Sequence, residues 1–188
     1  GVKTGDVIWQ AKGKCPNLLV FPPRFSEYIK YSRAVKSIYG RYTDMIEPFG
    51  IDECWLDVSG STRLFGSPET IADDVREAVK KELGLTISVG VSFNKVFAKL
   101  GSDMKKPDAV TVIRRENFRN MIWQLPVEDM LWVGRSTSKV LKKYGIITIG
   151  DIAKSDPAFL KTTFGKNGVV LWRCANGLEN SPVCNMGY

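Results

Sequence analysis

Two adjacent carboxylates, Asp52 and Glu53, open a stretch whose other residues favour an extended chain: Ile51, Cys54, Trp55, Leu56 and Val58, with Gly50 and Gly60 at its ends. Acidic residues are depleted in strands, and an unpaired carboxylate is costly to desolvate. A bound cation removes that cost. Mg²⁺ suits such a pair, because it takes oxygen ligands and is commonly held by one or two carboxylates together with substrate phosphates. Strict alternation along a strand would send the two acids to opposite faces, so they can share an ion only at a strand end or turn, which Gly50 permits. The same pair fits a solvated turn ahead of an ordinary strand, and Asp57 fits a surface acid. Trp55 suits either packing or the wall of a pocket beside the acids.

A second group is basic. Ser92-Phe93-Asn94-Lys95-Val96-Phe97-Ala98-Lys99 places Lys95 and Lys99 one helical turn apart, with Ser92 and Asn94 as capping candidates. Lys106 precedes Pro107, which biases it towards an extended conformation off the helix. Lysines near carboxylates suit a metal-bound triphosphate, although each alone also suits solvent. A third group is Val133-Gly134-Arg135-Ser136-Thr137-Ser138-Lys139, running on to Lys142 and Lys143. A glycine turn entering a helix exposes backbone N–H groups at a positive dipole end, a natural phosphate cradle. Gly134, Arg135, Ser136, Thr137 and Lys139 are therefore candidates for contacting a nucleic-acid backbone without reading its sequence. A helix hairpin with a basic solvent face fits the same residues.

The chain of 188 residues carries a formal net charge of +7 and a sequence pI near 9.2. Such an excess points to a polyanionic partner, nucleic acid first and an acidic membrane surface second. Histidine is absent, and the four cysteines (Cys15, Cys54, Cys174, Cys184) form no C-x-x-C pair. Histidine-based acid–base chemistry is thereby excluded, a zinc site is disfavoured, and the cysteines read as buried thiols of a reducing cytoplasm. No apolar run reaches the roughly 20 residues of a membrane helix, and no signal peptide is visible. The first residue is Gly1 and the pattern begins mid-stride, so a piece of a longer protein is expected.

The elements that must position these groups follow from periodicity. A short helix is expected near Trp9 to Lys12 and a short strand at Leu18 to Phe21. An amphipathic helix from Phe25 to about Tyr42 carries Tyr28, Ile29, Tyr31, Val35, Ile38 and Tyr39 on its apolar stripe. One strand is expected over Glu47 to Val58. A helix comes next, from Pro68 to Leu83, with Ile71, Val75 and Val79 on one stripe and Gly84 as its stop. Thr86 to Ser92 alternates as a half-buried strand, in which Gly90 leaves a gap for a close backbone or ligand. A helix over Asn94 to Asp103 and a strand over Ala109 to Ile113 complete an order of strand, helix, strand, helix, strand. This is an α+β unit, a ferredoxin-like mixed sheet with helices on one face. From Glu116 onwards short helices succeed one another: Glu116 to Met121, Val127 to Leu131, Thr137 to Tyr144, Ile149 to Lys154, Pro157 to Phe164 and Val169 to Ala175. The domain boundary falls at 113–116.

The carboxylate segment Gly50-Ile51-Asp52-Glu53-Cys54-Trp55-Leu56-Asp57 resembles the S-I-D-E-A-Y-L-D motif of Y-family translesion DNA polymerases. The segment from Gly90 to Asp108 resembles the same family's G-V-S-x-N-K-x-x-A-K-x-A-S-x-x-x-K-P-x-G block. Val127 to Ile152 is similar to their helix-hairpin-helix thumb, and Gly1 to Gly5 to the end of their fingers. The match covers essentially the whole chain and is closest to the DinB/UmuC branch.

The resemblance implies a remnant of fingers over 1–24, a palm over 25–115 and an all-helical thumb with a helix-hairpin-helix over 116–188. It implies that Asp52 is a ligand of two Mg²⁺ ions with Glu53 as the adjacent acid, and that Lys106 contacts the incoming deoxynucleoside triphosphate. The implied partner is primer-template DNA, with a sliding clamp engaged through regions outside this chain and no membrane. The implied reaction is attack of a primer 3′ hydroxyl on an α-phosphate, past damaged template bases. Gly50, Trp55 and Gly101 depart from the family's serine, tyrosine or phenylalanine, and alanine. Trp132 stands where the hairpin has its first glycine. The family's first metal-binding aspartate, its steric-gate aromatic and its Tyr/Arg triphosphate contacts would precede Gly1, and its little finger would come after Tyr188. The chain alone is therefore expected to be inactive. A non-catalytic helix-hairpin-helix DNA-binding module is the alternative, and a palm-like nucleotide cyclase a further one that the basic helical half disfavours.

Overall fold

The carboxylate segment folds as a hairpin, not as one strand. In a computed structural model describing residues 1–185, β1 (Ile46–Phe49) pairs antiparallel with β2 (Glu53–Leu56), in a register that sets Ile46 against Leu56 and Phe49 against Glu53. Gly50 breaks the expected strand over Glu47 to Val58: it takes φ +81°, which glycine adopts without steric cost, and the chain reverses through Gly50, Ile51 and Asp52.

Two helices precede the hairpin, α1 (Ile8–Lys14) and α2 (Phe25–Tyr39). The strand expected at Leu18 to Phe21 does not form; the segment is irregular, with Leu19 and Phe21 exposed. No strand edge among the described residues pairs with it; the Leu18 N–H instead donates to the Cys15 carbonyl at 3.0 Å in a turn. On α2 only the C-terminal end of the apolar stripe is buried, at Ile38 and Tyr39, while Tyr28, Ile29 and Tyr31 are exposed.

After the hairpin come the single turn α3 (Thr62–Phe65) and the longer α4 (Pro68–Leu83). Ser67 caps α4 by accepting from the Thr70 N–H, Pro68 opens it, and Gly84 ends it at φ +66°. Its stripe Ile71, Val75 and Val79 is buried with Ile38, Tyr39 and Ile46, forming the first core.

Next, β3 (Val89–Ser92), α5 (Lys95–Met104) and β4 (Val110–Ile113) form a crossover with β3 and β4 parallel. Gly90 is the close approach its position predicts, and the neighbour is backbone. A Cβ there would lie 1.8 Å from the Ala98 carbonyl oxygen and 2.6 Å from the Ser102 nitrogen, so α5 rests directly on β3. The two strand pairs do not share a hydrogen-bonded edge. Both β2 and β3 instead line a cavity of about 1070 Å³ that α2 and α4 also wall.

The remainder is helical: α6 (Phe118–Ile122), α7 (Arg135–Lys143), α8 (Ile149–Lys154), α9 (Pro157–Phe164) and α10 (Lys166–Ala175). The helix expected over Val127 to Leu131 is a three-residue 3-10 turn, Val127–Asp129. Val96, Phe97 and Leu100 of α5 and Ile113 of β4 are buried with Phe118, Ile122, Leu141, Ile152 and Leu171. This second core is continuous across position 115, so α5 is fixed from both sides. The expectation of buried cysteines is met at Cys174 but not at Cys15 and Cys184, which are exposed. No helix among the described residues is long and apolar enough to cross a membrane.

Candidate functional site

The tip of the β1–β2 hairpin presents the two acids together. Asp52 is the last residue of the turn and is exposed, and Glu53 is the first of β2 and half-buried. Asp52 thus lies outside the pleated ladder, and both acids line the cavity. The turn is tied to α2, where the Ser32 hydroxyl donates to the Ile51 carbonyl and Lys36 Nζ donates to Ser32 Oγ over 2.9 Å.

Helix α5 supplies the cations. Asn94 caps it, its Oδ1 accepting from the Phe97 N–H at 2.8 Å. Ser92 is no cap; its hydroxyl donates to the Ile113 carbonyl at 2.9 Å and links β3 to β4. Lys99 Nζ lies 3.2 Å from Glu53 Oε1 and also holds Asp103. On its other oxygen Asp103 accepts Lys106 at 2.8 Å. Glu53, Lys99, Asp103 and Lys106 thus form one alternating chain of charge beside Asp52. Burial disfavours the Lys99 ammonium, but hydrogen bonds to Asp103 and Glu53 outweigh it and hold its pKa above the ordinary lysine value. Burial likewise pushes Asp103 up, and the bonds from Lys106 and Lys99 more than reverse this.

The loop bearing Lys106 is fixed from behind. Asp108, at φ +55°, accepts Arg76 at 2.7 Å and Lys80 at 2.6 Å from α4, while Lys106 itself stays exposed. The structure therefore brings Asp52, Glu53 and Lys106 to one cavity. Lys95 has a different job: its Nζ is 2.8 and 2.7 Å from the two oxygens of Glu47 on β1, and both side chains are largely buried. Trp55, opposite Glu47 in register, donates from Nε1 to the Lys95 carbonyl at 2.9 Å, and its ring lies 4.6 Å from that of Phe49 at a tilt of 41°. Sequence reasoning misses Glu47. Its one signal is an acid in an otherwise apolar strand, two positions before Phe49, the neighbour of the turn glycine.

Carboxylates are the donors a hard divalent ion takes when the phosphate oxygens of a substrate complete its shell. Among the described residues no group of three or more Asp, Glu, Cys or His side chains gathers to hold a metal. Asp57 lines the same cavity, with its Oδ1 accepting from the Ser59 N–H at 2.9 Å.

The basic turn lies in the helical half. Gly134 is the N-cap of α7, and no side chain caps the helix. Among the described residues no side-chain hydrogen bond is made to the N–H groups of its first turn. Arg135, Ser136 and Lys139 are exposed and Thr137 is half-buried at this end. Lys142 is not free to add charge there, since it pairs with Glu128, which also accepts the buried Ser138 hydroxyl. Those two bonds pull the Glu128 carboxyl down to about 2. Trp132 takes φ +74°, a left-handed conformation in which the glycine of the resembled hairpin would be unstrained. Its ring meets Phe49 edge-on at 6.2 Å, which joins the basic turn to the carboxylate hairpin.

Residues 1–103 match the impB/mucB/samB family. Over 182 residues the chain is 57% identical to DNA polymerase IV of Acetivibrio thermocellus, covering 97% of this chain and 46% of that protein. Among solved structures it is similar to DinB from Sulfolobus solfataricus, with a TM-score of 0.87 and 28% identity over 98% of this chain and 55% of that one. It is similar also to an insertion ternary complex of Dbh DNA polymerase, with a TM-score of 0.88 and 27% identity over 97% of this chain and 54% of that one. The chain spans about half the length of the curated relatives it matches.

Proposed function

Because the chain belongs to the impB/mucB/samB family, we propose that it forms the palm (25–115) and thumb (116–188) of a Y-family DNA polymerase that copies past damaged template bases. The observation that carries this reading is the meeting of Asp52, Glu53 and Lys106 at one cavity, joined through Lys99 and Asp103. The reaction joins a primer 3′ hydroxyl to the α-phosphate of a deoxynucleoside triphosphate and releases pyrophosphate. Asp52, exposed at the turn, would hold Mg²⁺ with help from Glu53. When bound, the ion supplies electrostatic stabilisation of charge on the reacting phosphate. Lys106 would hold the triphosphate, its ammonium kept in place by Asp103 and its loop by Asp108.

Primer-template DNA would lie on the basic turn. The exposed first-turn N–H groups of α7 and Lys139 would take backbone phosphates, with Gly134, Arg135, Ser136 and Thr137 lining the approach. A cytoplasmic setting and a sliding clamp, engaged outside these residues, go with the same reading. The test is binding of Mn²⁺ and a deoxynucleoside triphosphate by this chain. Asp52→Asn and Lys106→Ala should each weaken it, whereas a non-catalytic DNA-binding module would show no such site and keep DNA binding unchanged in both variants.

A further inference from the structure

The chain returns to the carboxylate hairpin after leaving the helical half. Beyond α10 the segment 181–185 runs back over β1: the Cys184 N–H donates to Glu47 Oε2 at 2.7 Å, and Asn185 Nδ2 donates to the Asp44 carbonyl at 2.8 Å. Pro182 and Val183 line the same cavity as Asp52 and Glu53.

Glu47 is a demanding place for such a contact. Its carboxylate and the Lys95 ammonium are both largely shielded from water, with side-chain exposures of 18% and 14%. A shielded ion pair holds only when its remaining lone pairs are also satisfied. Lys95 takes both oxygens, and the returning N–H takes a further lone pair of Oε2. The pair in turn carries the hairpin. Glu47 faces Trp55 across the strands, Trp55 hydrogen-bonds the Lys95 carbonyl, and Phe49, two residues on, faces Glu53. Lys95 and Lys99 lie one turn apart on α5, so Glu47–Lys95 and Glu53–Lys99 are two successive pins between hairpin and helix.

We propose that Glu47 is a positioning residue, the dock through which the returning segment 181–185 sets how the Asp52–Glu53 turn is seated on α5. In a longer protein, any chain continuing from this segment is then coupled to the two site acids through the Glu47 carboxylate. The catalytic consequence of that seating rests on the proposed metal role of Asp52 and Glu53, while the coupling itself does not.

The test uses this chain labelled with ¹⁵N. Cys184→Pro deletes the backbone donor on an exposed residue while also fixing its φ, and Cys184→Ala keeps the donor as control. Exchange of the Trp55 indole N–H reports the seating. It should accelerate about tenfold in Cys184→Pro and in Glu47→Gln, and stay within about twofold of the parent in Cys184→Ala. A tail that merely covers the surface would change exchange at its own amides and leave Trp55 alone. Unchanged Trp55 exchange in Cys184→Pro overturns the proposal, and this holds even should Glu47→Gln fail to fold. Broadening of the Asp52 and Glu53 amides by Mn²⁺ is measured on the same samples. Its absence in the parent would defeat the metal reading of the turn, while the exchange result judges the coupling separately.

Discussion

Lys99 serves two carboxylates at once, its Nζ 3.2 Å from Glu53 Oε1 and hydrogen-bonded to Asp103 as well. The ammonium occupies the place of a counter-ion for Glu53, so a divalent ion arriving at the turn must compete with it. Lys99→Met should therefore tighten Mn²⁺ binding to the free chain by roughly threefold, in keeping with the modest worth of a partly exposed ion pair. Titration of the variant against the parent checks this, and weaker binding in the variant would show that Lys99 supports the ion rather than competing with it.

The Glu128 pair gives a pH signature. Its folded pKa is lowered to about 2 from an ordinary 4.5, so its stabilising contribution is complete above about pH 4.5 and is lost as pH falls through about 2. Thermal midpoints of the parent and Glu128→Gln should differ by a constant amount above pH 4.5 and converge towards pH 2. A gap that persists undiminished at the acid end would mean that the carboxylate's charge is not what Lys142 and Ser138 hold.

Duplex DNA binding by the helical half should be weak, indifferent to sequence and strongly salt-dependent. With about three phosphate contacts, log K against log salt should slope near −3. Lys139→Ala and Lys143→Ala should each flatten the slope by about one. Lys142→Ala should change it little, because Lys142 is engaged with Glu128. An equal effect of all three substitutions would contradict that engagement.

Gly90→Ala tests the seat of α5. The added methyl would sit 1.8 Å from the Ala98 carbonyl oxygen, which is helix backbone and cannot rotate away. Denaturant unfolding should show a loss of roughly 3 kcal/mol or more. A loss under about 1 kcal/mol would mean that the helix slides at little cost.

Much of this arrangement is legible from residue order. Pro68, Gly84 and the stripe Ile71, Val75, Val79 define α4 from end to end, and the lone glycine in β3 announces a close backbone approach. The acids are site candidates by their chemistry and Lys106 by the resemblance, and the fold brings them to one cavity. Pairing between distant segments is what residue order hides. A glycine between two apolar runs does not say whether the chain bends or reverses, so the hairpin reads as one strand until its register is seen. The partners of Lys95 and Lys142 lie on other elements, Glu47 on β1 and Glu128 in a 3-10 turn, and no local pattern assigns a lysine to a distant acid. The N-terminal half of α2 carries a core-like stripe that nothing among the described residues buries.

If Asp52, Glu53 and Lys106 form one site for a metal-bound triphosphate, an ion at the turn must lie close to all three. The direct measurement is paramagnetic broadening of backbone amides by Mn²⁺ with a deoxynucleoside triphosphate, on the parent and on Asp52→Asn. Broadening centred on the amides of Asp52 and Glu53 and extending to Lys106, strengthened by the triphosphate and lost in Asp52→Asn, is the predicted result. Broadening centred elsewhere, or the same in the variant as in the parent, would contradict a shared site.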